Sequence, residues 1–193
     1  MKKDSVQPWG DAIYALFKSH RVNMLSFVPD AGHARLIALC ERDAEMRAVT
    51  LTTEQEGIAF AAGAYLGGER AVLLMQSSGV GNCMNMLSLP RVCNMPLVML
   101  ITMRGEWGEF NPWQVPMGQQ TRALLEQCGV IVYRVESLPD ATPTIDAAMQ
   151  FAFASRQRVA LLLAQKMIGA KNFQATPEFA NNANNTNLSF RTE

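Results

Sequence analysis

Runs of consecutive apolar residues, each about as long as a strand, alternate along the chain with longer segments in which apolar residues recur at helical spacing. The apolar runs are continuous rather than alternating, which is typical of strands that are covered on both faces of a sheet. The predicted strands span residues 22–28, 46–51, 71–75, 97–102, 130–135 and 159–164. A covered sheet needs two outer layers, and the segments between the runs are long enough to supply them.

Helical patterns follow nearly every one of these runs. The predicted helices span residues 9–20, 34–40, 54–66, 81–89, 118–128 and 145–155. Strands separated by helices favour an α/β fold, a three-layer sandwich with a parallel sheet of about six strands and right-handed crossovers. We expect residues 1–170 to form a single domain. Residues 171–193 are rich in Asn and poor in core-forming residues, so we expect a poorly ordered C-terminal tail.

Open parallel sheets bind ligands at the carboxyl ends of their strands. Three predicted loops lie at such ends, at residues 29–32, 76–81 and 103–116. We therefore expect any functional site to be built from these loops and from the helix starts beside them.

The charge balance removes several classes of function. The 193 residues include 17 basic and 17 acidic side chains, so the formal net charge is zero. A neutral chain has no general electrostatic attraction for nucleic acid or for an anionic membrane, and we expect neither as a partner. Hydrophobic residues make up 49% of the chain and include twelve Met. This composition indicates that some apolar surface is covered by another chain.

Four cysteines and two histidines are present, and no two cysteines have C-x-x-C spacing. A structural zinc site needs four clustered ligands, so the sequence predicts no metal site on this chain. The simplest interpretation of the cysteines is reduced thiols in a cytoplasmic protein. The first twenty residues lack the continuous apolar region of a signal peptide, and no apolar stretch approaches the about 20 residues that span a bilayer.

One candidate site lies in the segment TTEQEGIAFAAG, residues 52–63. Thr53 and Glu56 have the spacing of a capping box, which makes Glu54 the first residue of the helix. An acidic residue there can simply complement the helix dipole. However, Glu54 follows a buried strand, which places it at the ligand-binding edge of the sheet. The small residues after it would also let another group pack closely against the helix.

A second candidate is the turn QSSGVGN, residues 76–82, between a predicted strand and the next helix. Ser78, Gly79 and Gly81 would let the backbone approach a ligand closely. The turn matches neither the P-loop nor the dinucleotide-binding fingerprint. Taken alone, it could be an ordinary tight turn.

In combination, these segments resemble a known family. The order T-E-Q, A-A-G-A-Y, Q-S-S-G-V-G-N-C-M-N, P-L-V-M-L-I-T and R-G-E, with V-P-D after the first strand, is similar to the pyrimidine-binding domain of thiamine-diphosphate enzymes. The resemblance is strongest to the sulfopyruvate decarboxylase alpha subunits and to the N-terminal half of phosphonopyruvate decarboxylases. It covers about residues 11–168. Ser77 replaces the Asn that is common in the turn.

The resemblance implies a role for one glutamate. In this family the activating glutamate lies nine residues before the glycine of the A-x-G-x-Y helix, which is Gly63 here, and the count leads to Glu54 rather than Glu56. Its carboxyl group bonds to ring nitrogen N1 of the aminopyrimidine and favours the imino tautomer that accepts the proton from C2 of the thiazolium. The resemblance also implies cofactor contacts from Ser78, Gly79 and Asn82.

The family's diphosphate-binding motif is missing from this chain. The only Gly-Asp pair, Gly10-Asp11, lacks the G-D-G pattern and the Asn that follows it in such enzymes. The resemblance therefore implies a beta subunit that carries the diphosphate-binding domain and holds Mg²⁺, with thiamine diphosphate at the interface. An interface site further implies a hetero-oligomer with at least two copies of each chain.

Substrate-binding residues are less clearly marked. Asp30, His33 and Gln114 are candidates for substrate binding or proton transfer, although Asp30 could instead cap a helix and His33 could lie on the surface. Arg104 could pair with an acidic substrate or with Glu106. The aromatic residues of the third loop could close the pocket or contact the partner; they are Trp107, Phe110 and Trp113.

These observations predict an alpha subunit of a two-chain, thiamine-diphosphate-dependent decarboxylase. Its expected substrate is a small 2-oxoacid of the sulfopyruvate or phosphonopyruvate type. Two alternatives stay open at this point. A carboligase of the acetolactate-synthase type would share the same activation step, and a regulatory subunit could retain the fold without catalysis.

Overall fold

Six parallel strands form one sheet in the computed structural model, which describes residues 8–169. The predicted tail, residues 171–193, lies outside the described residues. The strands are β1 (Val22–Phe27), β2 (Arg47–Thr50), β3 (Arg70–Gln76), β4 (Leu97–Thr102), β5 (Ile131–Val135) and β6 (Arg158–Leu163). Their order across the sheet is β2-β1-β3-β4-β6-β5. The predicted parallel sheet is thus confirmed, with every strand within two residues of its expected bounds.

Helices connect the strands. They are α1 (Pro8–Ser19), α2 (Ala34–Arg42), α3 (Glu54–Leu66), α4 (Val80–Cys83), α5 (Ser88–Val92), α6 (Val115–Gln127), α7 (Leu138–Ser155) and α8 (Gln165–Ile168). The helices α1, α2 and α7 pack on one face of the sheet, and α3 to α6 pack on the other. This arrangement is the predicted three-layer sandwich.

Alternate residues of the central strands serve the two layers. Leu74 and Leu100 point into the core beneath α1, α2 and α7, whereas Leu73 and Met99 point into the core beneath α3 to α6. All four side chains are fully buried. The need to fill both cores explains why β3 is apolar from Ala71 to Met75 and β4 from Leu97 to Ile101.

Two helices begin earlier than their apolar pattern predicts. Helix α6 starts at Val115 and α7 at Leu138, and each has a proline among its first two residues. Proline lacks an N–H group, but the first amides of a helix have no intrahelical acceptor, so a proline there costs little. Ser137 caps α7 by accepting a hydrogen bond from the backbone N–H of Asp140. The pattern missed both starts because prolines and polar residues conceal the periodicity.

The predicted helix 81–89 is wrong as a single element. The structure has two short helices there, α4 and α5, separated by a turn, and Pro90 lies inside the second of them. Pro90 is the third residue of α5, where its missing N–H would have no partner in the helix. The proline therefore accompanies the start of a new helix instead of ending the first one.

Two glycines of α3 make a matched test of its packing. A Cβ atom on Gly57 would overlap the side chain of Leu73 in β3, whereas one on Gly63 would meet nothing within 4 Å. We expect Gly57→Ala to lower the free energy of unfolding by about 1–3 kcal/mol, because the buried Leu73 must leave its rotamer. Gly63→Ala is expected to raise it by about 0.5–1 kcal/mol, since alanine favours the helix. Urea denaturation of both variants checks this, and equal effects would contradict the close packing of α3 on β3.

Among residues 8–169, no helix is both long enough and apolar enough to cross a membrane.

Candidate functional site at the carboxyl edge of the sheet

A pocket of about 830 Å³ opens at the carboxyl edge of the sheet. One group of its lining residues comes from the start of α3 and from the turn after β3, and the other from the long loop after β4 and the start of α6. The lining residues are Glu54, Ser78, Gly79, Gly81, Asn82, Pro112, Trp113, Pro116 and Met117. The pocket thus brings together the two sequence segments that were separate candidates for function.

Glu54 is the first residue of α3, directly after the loop that follows β2. Its side chain lies in the pocket wall, yet the residue is only 8% exposed. Asn82 Nδ2 donates a hydrogen bond of 2.8 Å to Glu54 Oε2. This bond holds one of the two carboxyl oxygens in place. The other oxygen, Oε1, has no protein hydrogen bond among the described residues.

Gly79 makes room for this carboxyl group. A Cβ atom on Gly79 would overlap both Cδ and Oε1 of Glu54. The backbone at Gly79 has φ −75°, which any residue can adopt. The glycine is therefore required by the close approach of the carboxyl group and not by the conformation of the turn.

Glu56 has a different environment from Glu54. Its Oε2 accepts hydrogen bonds from the backbone N–H groups of Thr52, at 2.9 Å, and Thr53, at 3.4 Å. These are the contacts of a capping residue, and Glu56 is exposed. The predicted capping role of Glu56 is confirmed, and only Glu54 of the two presents its carboxyl group to the pocket.

A chain of partly buried polar contacts runs behind the pocket. Ser78 Oγ donates to Gln76 Oε1 at 2.9 Å, and Gln76 Nε2 donates to Asp30 Oδ1 at 3.1 Å. The other oxygen of Asp30, Oδ2, accepts a 2.6 Å hydrogen bond from Thr102 Oγ1. The chain joins the carboxyl ends of β1, β3 and β4, because these strands are neighbours in the sheet. Asp30 thus reaches the pocket only through Gln76 and Ser78.

His33 lies deeper than Asp30. Its ring is fully buried, packs edge-on against Trp9 at 6.1 Å between centroids, and has Nδ1 3.8 Å from Asp30 Oδ2. Neither ring nitrogen has a hydrogen-bond partner among the described residues. Burial lowers the pKa of His33 below its ordinary value, since the protonated ring would lose its hydration, and the nearby Asp30 carboxylate opposes this only in part. The imidazole is consequently neutral at pH 7.

Arg104 pairs with Glu109, and the predicted alternative of a pair with Glu106 is wrong. Arg104 Nε and Nη2 each donate to the Glu109 carboxylate at 2.7 Å, and both side chains are less than 10% exposed. Glu106 instead pairs with Arg134, which donates to it through two nitrogens. The spacing of Arg104 and Glu106 could not reveal this, because Arg134 lies in β5 and is close only in the folded chain.

Gln114 is not among the pocket-lining residues. Its Oε1 is buried and has no hydrogen-bond partner among the described residues. Of the three aromatic residues in this loop, Trp113 lines the pocket and is 83% exposed, while Trp107 and Phe110 are about half exposed and lie outside the lining. Of the three, only Trp113 borders the pocket, and the choice between closing the pocket and contacting a partner stays a prediction.

The lining fits one end of a thiamine-type cofactor better than the other. A buried carboxyl group beside small residues and Met117 suits an uncharged aromatic ring with nitrogen atoms. The nine lining residues include no Lys or Arg that could bind a diphosphate. In the part of the chain that is described, no group of three or more His, Cys, Asp or Glu side chains could hold a metal ion. Among the described lining residues, the groups present therefore match the aminopyrimidine end.

Several residues of the site escaped sequence reasoning. Thr102 was the end of a predicted strand, and Gln76 began the candidate turn without a role of its own. Pro116 ended the third predicted loop, and Met117 fell between that loop and the next predicted helix. The signal for Gln76 and Thr102 was a polar residue ending an otherwise apolar strand. No comparable signal marks Pro116 and Met117, since they reach the pocket only through the direction that α6 takes.

Comparisons with known proteins agree with this geometry. Residues 8–114 match the family model described as "Thiamine pyrophosphate enzyme, N-terminal TPP binding domain". The chain is 34% identical to the sulfopyruvate decarboxylase subunit alpha of Methanocaldococcus jannaschii, over 78% of this chain and 90% of that protein. It is 32% identical to the protein of the same name from Methanothermobacter thermautotrophicus, over 84% of this chain and 97% of that protein.

A more distant relative and a solved structure extend the comparison. Phosphonopyruvate decarboxylase of Streptomyces viridochromogenes is 35% identical over 70% of this chain, which corresponds to 35% of that longer protein. A structure of 2-oxoglutarate:ferredoxin oxidoreductase from Magnetococcus marinus superposes with a TM-score of 0.63 at 15% identity, covering 83% of this chain and 29% of that one. The structural likeness at this identity shows the shared fold alone. On the family match and on the extent of its similarity to the alpha subunits, this chain belongs to the family of N-terminal TPP-binding domains of thiamine pyrophosphate enzymes.

Proposed function

We propose that this chain is the alpha subunit of a two-chain, thiamine-diphosphate-dependent decarboxylase that acts on a small 2-oxoacid of the sulfopyruvate or phosphonopyruvate type. The observation that carries the proposal is the Glu54 carboxyl group, which is buried in the pocket wall and held by Asn82 at 2.8 Å. The named activities of the relatives, which extend over most of this chain, support the reaction class.

Glu54 is the proposed catalytic residue. Its Oε1 is available to hydrogen-bond ring nitrogen N1 of an aminopyrimidine, while Asn82 holds Oε2. A partly desolvated carboxyl group can share its proton with that nitrogen more readily than an exposed one, because water does not compete for the bond. When bound, the cofactor supplies the electron sink for loss of carbon dioxide, and the protein supplies orientation and this hydrogen bond.

The turn after β3 completes the proposed cofactor contacts. Gly79 lets the Glu54 carboxyl group lie against the turn, and Ser78 faces the pocket with its hydroxyl group bonded to Gln76. Asn82 orients the carboxyl group. Gly79 and Asn82 therefore act together on the position of the Glu54 carboxyl group, and Ser78 stays a predicted cofactor contact.

Asp30, His33 and Gln114 stay predicted substrate-binding residues. None of them is among the pocket-lining residues, and each oxygen of the Asp30 carboxyl group already accepts one hydrogen bond, from Gln76 and from Thr102. We infer that Asp30 affects the substrate through Gln76 and Ser78, and that the acidic groups of the substrate meet cationic residues of the second chain.

The proposed partner is a beta subunit that carries the diphosphate-binding domain and holds Mg²⁺. The pocket lining supports this, since its residues match the ring end of the cofactor and include no cation for the diphosphate. With the active site between unlike chains, we infer a cytoplasmic hetero-oligomer that has at least two copies of each chain.

Co-purification from the native host tests the proposal. We expect a stoichiometric partner chain with a G-D-G motif followed by an Asn, and a complex that binds thiamine diphosphate in the presence of Mg²⁺. The complex should release carbon dioxide from sulfopyruvate or phosphonopyruvate faster than from pyruvate. A chain that purifies alone and binds neither partner nor cofactor would contradict the proposal. A complex that joins two 2-oxoacids without releasing an aldehyde would identify a carboligase instead.

A further inference from the structure

The loop between β4 and α6 contributes to the pocket but has little regular structure of its own. It runs from residue 103 to residue 114 and contains a single 3-10 turn, Pro112–Gln114. Two of its residues, Pro112 and Trp113, line the pocket together with Glu54. A loop of this length loses considerable conformational entropy on ordering, so other contacts must compensate for that loss.

Glu109 organises the loop around one buried carboxylate. Its two oxygens accept hydrogen bonds from Arg104 Nε and Nη2 at 2.7 Å each, from the backbone N–H of Gly105 at 3.2 Å and from that of Asn111 at 3.1 Å. A fifth bond comes from Gln165 Nε2 at 2.9 Å. Residues 104–111 are thereby closed into a ring about Glu109. The hydrogen bonds from Arg104 lower the pKa of Glu109 to about 2, so this carboxylate stays charged throughout the physiological range.

Gln165 connects this ring to the sheet. It is the first residue of α8, separated from the end of β6 by one residue, and it is fully buried. Its Oε1 accepts hydrogen bonds from the backbone N–H groups of Glu106 at 2.9 Å and Trp107 at 3.0 Å. The side-chain amide of Gln165 therefore bonds to both halves of the loop.

The ring is also in direct backbone contact with α6. A Cβ atom on Gly118 would overlap the carbonyl oxygen of Arg104, and one on Gly105 would overlap the carbonyl oxygen of Gln114. Because α6 carries Pro116 and Met117, a displacement of Arg104 moves these two lining residues as well. The position of the ring thus determines where the lining residues of the loop and of α6 lie.

We propose that Glu109 and Gln165 are positioning residues of the cofactor pocket, which hold the loop and the start of α6 at a fixed distance from Glu54. This inference rests on the proposed function. It also assigns Arg104: its Nε and Nη2 are taken by the bidentate pair with Glu109, and its side chain is only 8% exposed, so it serves the loop rather than the acidic group of a substrate. Breaking the pair would leave a buried charge without its partner, which is costly.

The test uses the complex of this chain with its native partner subunit and compares Glu109→Gln with the unchanged chain. If the loop is loosened, only a fraction of the molecules holds it in the conformation that binds thiamine diphosphate. The apparent Kd then equals the intrinsic Kd divided by that fraction. We expect the Kd of thiamine diphosphate to rise about 10-fold, which corresponds to a binding-competent fraction of about one tenth of the molecules. The kcat at saturating cofactor should change less than 3-fold, because Glu54 and Asn82 are unaltered.

Control variants separate positioning from general damage. Glu126→Gln removes the same charge from an exposed pair with Arg122 on α6, and it should leave both Kd and kcat unchanged. Gln165→Met removes the hydrogen bonds without altering charge and should raise the Kd in the same direction as Glu109→Gln. A merely destabilised chain would lower the active fraction, and with it the apparent kcat, without raising the Kd of the remaining active complex.

Three results would overturn the inference. If the unchanged complex is active but both loop variants bind thiamine diphosphate within 2-fold of it, the positioning role is wrong while the proposed function stands. If Arg104→Met raises only the KM of the 2-oxoacid, and Glu109→Gln does not affect the Kd, then Arg104 is a substrate ligand. If the unchanged complex does not bind the cofactor at all, the proposed function fails and the positioning role fails with it.

Discussion

Glu54→Gln is expected to lower the turnover of the two-chain enzyme by about 100-fold or more, the usual scale for loss of an acid–base group. Gln keeps the size of the side chain and can still bond to Asn82, but it cannot share a proton with a ring nitrogen. The binding of thiamine diphosphate should weaken much less than turnover, because the shape of the pocket is retained. Steady-state kinetics and cofactor titration of the assembled complex measure the two effects separately.

Glu56→Gln is the matched control for this experiment. It makes the same change of charge two residues further along the same helix, and Gln can still accept the hydrogen bonds from Thr52 and Thr53. Its turnover should stay within a few-fold of the unchanged enzyme. Equal losses of turnover in the two variants would show that the negative charge at the start of α3 matters, rather than the Glu54 carboxyl group itself. Unchanged turnover in Glu54→Gln would favour a non-catalytic, regulatory role for this chain.

Gly79→Ala is expected to produce the second largest loss of activity, about 10- to 100-fold in kcat/KM. The added methyl group would overlap the Glu54 carboxyl group, which must then turn away from the pocket or lose its bond to Asn82. A displacement of about 1 Å can cost roughly 100-fold in rate when a catalytic group is misplaced. The backbone itself is not strained by alanine, since φ at this position is −75°.

Gly67→Ala provides the comparison for Gly79→Ala. Gly67 follows the last residue of α3, also has an ordinary φ of −79°, and its added Cβ would make no contact shorter than 3.4 Å. Kinetics of the two variants in the same complex should show a loss only for Gly79→Ala. If Gly79→Ala retains full activity, the Glu54 carboxyl group is not held where the structure places it, and its proposed role in the reaction is contradicted.

The sheet and the layers around it were predictable because they follow from local patterns. Because both faces of β4 are covered, its residues from Leu97 to Ile101 are all apolar, and this signal needs no knowledge of neighbours in space. The starts of α6 and α7 were harder to predict from the sequence, because their first turns contain prolines, which usually indicate the end of a helix. The division of residues 80–92 into two helices depends in the same way on where Pro90 falls in a helical turn.

The candidate site was predictable only in part. The spacing of Glu54 from Gly63 selected Glu54 over Glu56, and the structure places Glu54 in the pocket wall and Glu56 in the cap. The partner of Arg104 was not predictable from spacing, because both Glu106 and Glu109 are near in sequence. The choice between them depends on Arg134, which occupies Glu106 from another strand.

The amino-acid sequence by itself determined the order of strands and helices, the parallel sheet, and the family to which the chain belongs, since these depend on periodicity and on motifs with short internal spacing. Only the tertiary structure decided that Asn82 holds Glu54, that Asp30 bonds to Gln76 and Thr102, and that Gln165 bonds to Glu109 in the loop between β4 and α6. These contacts join residues from different elements, most of them far apart in the chain. The physical reason is the crossover geometry of the parallel sheet, which brings the ends of distant strands to one edge. Polar side chains at these strand ends find their hydrogen-bond partners only when the chain is folded.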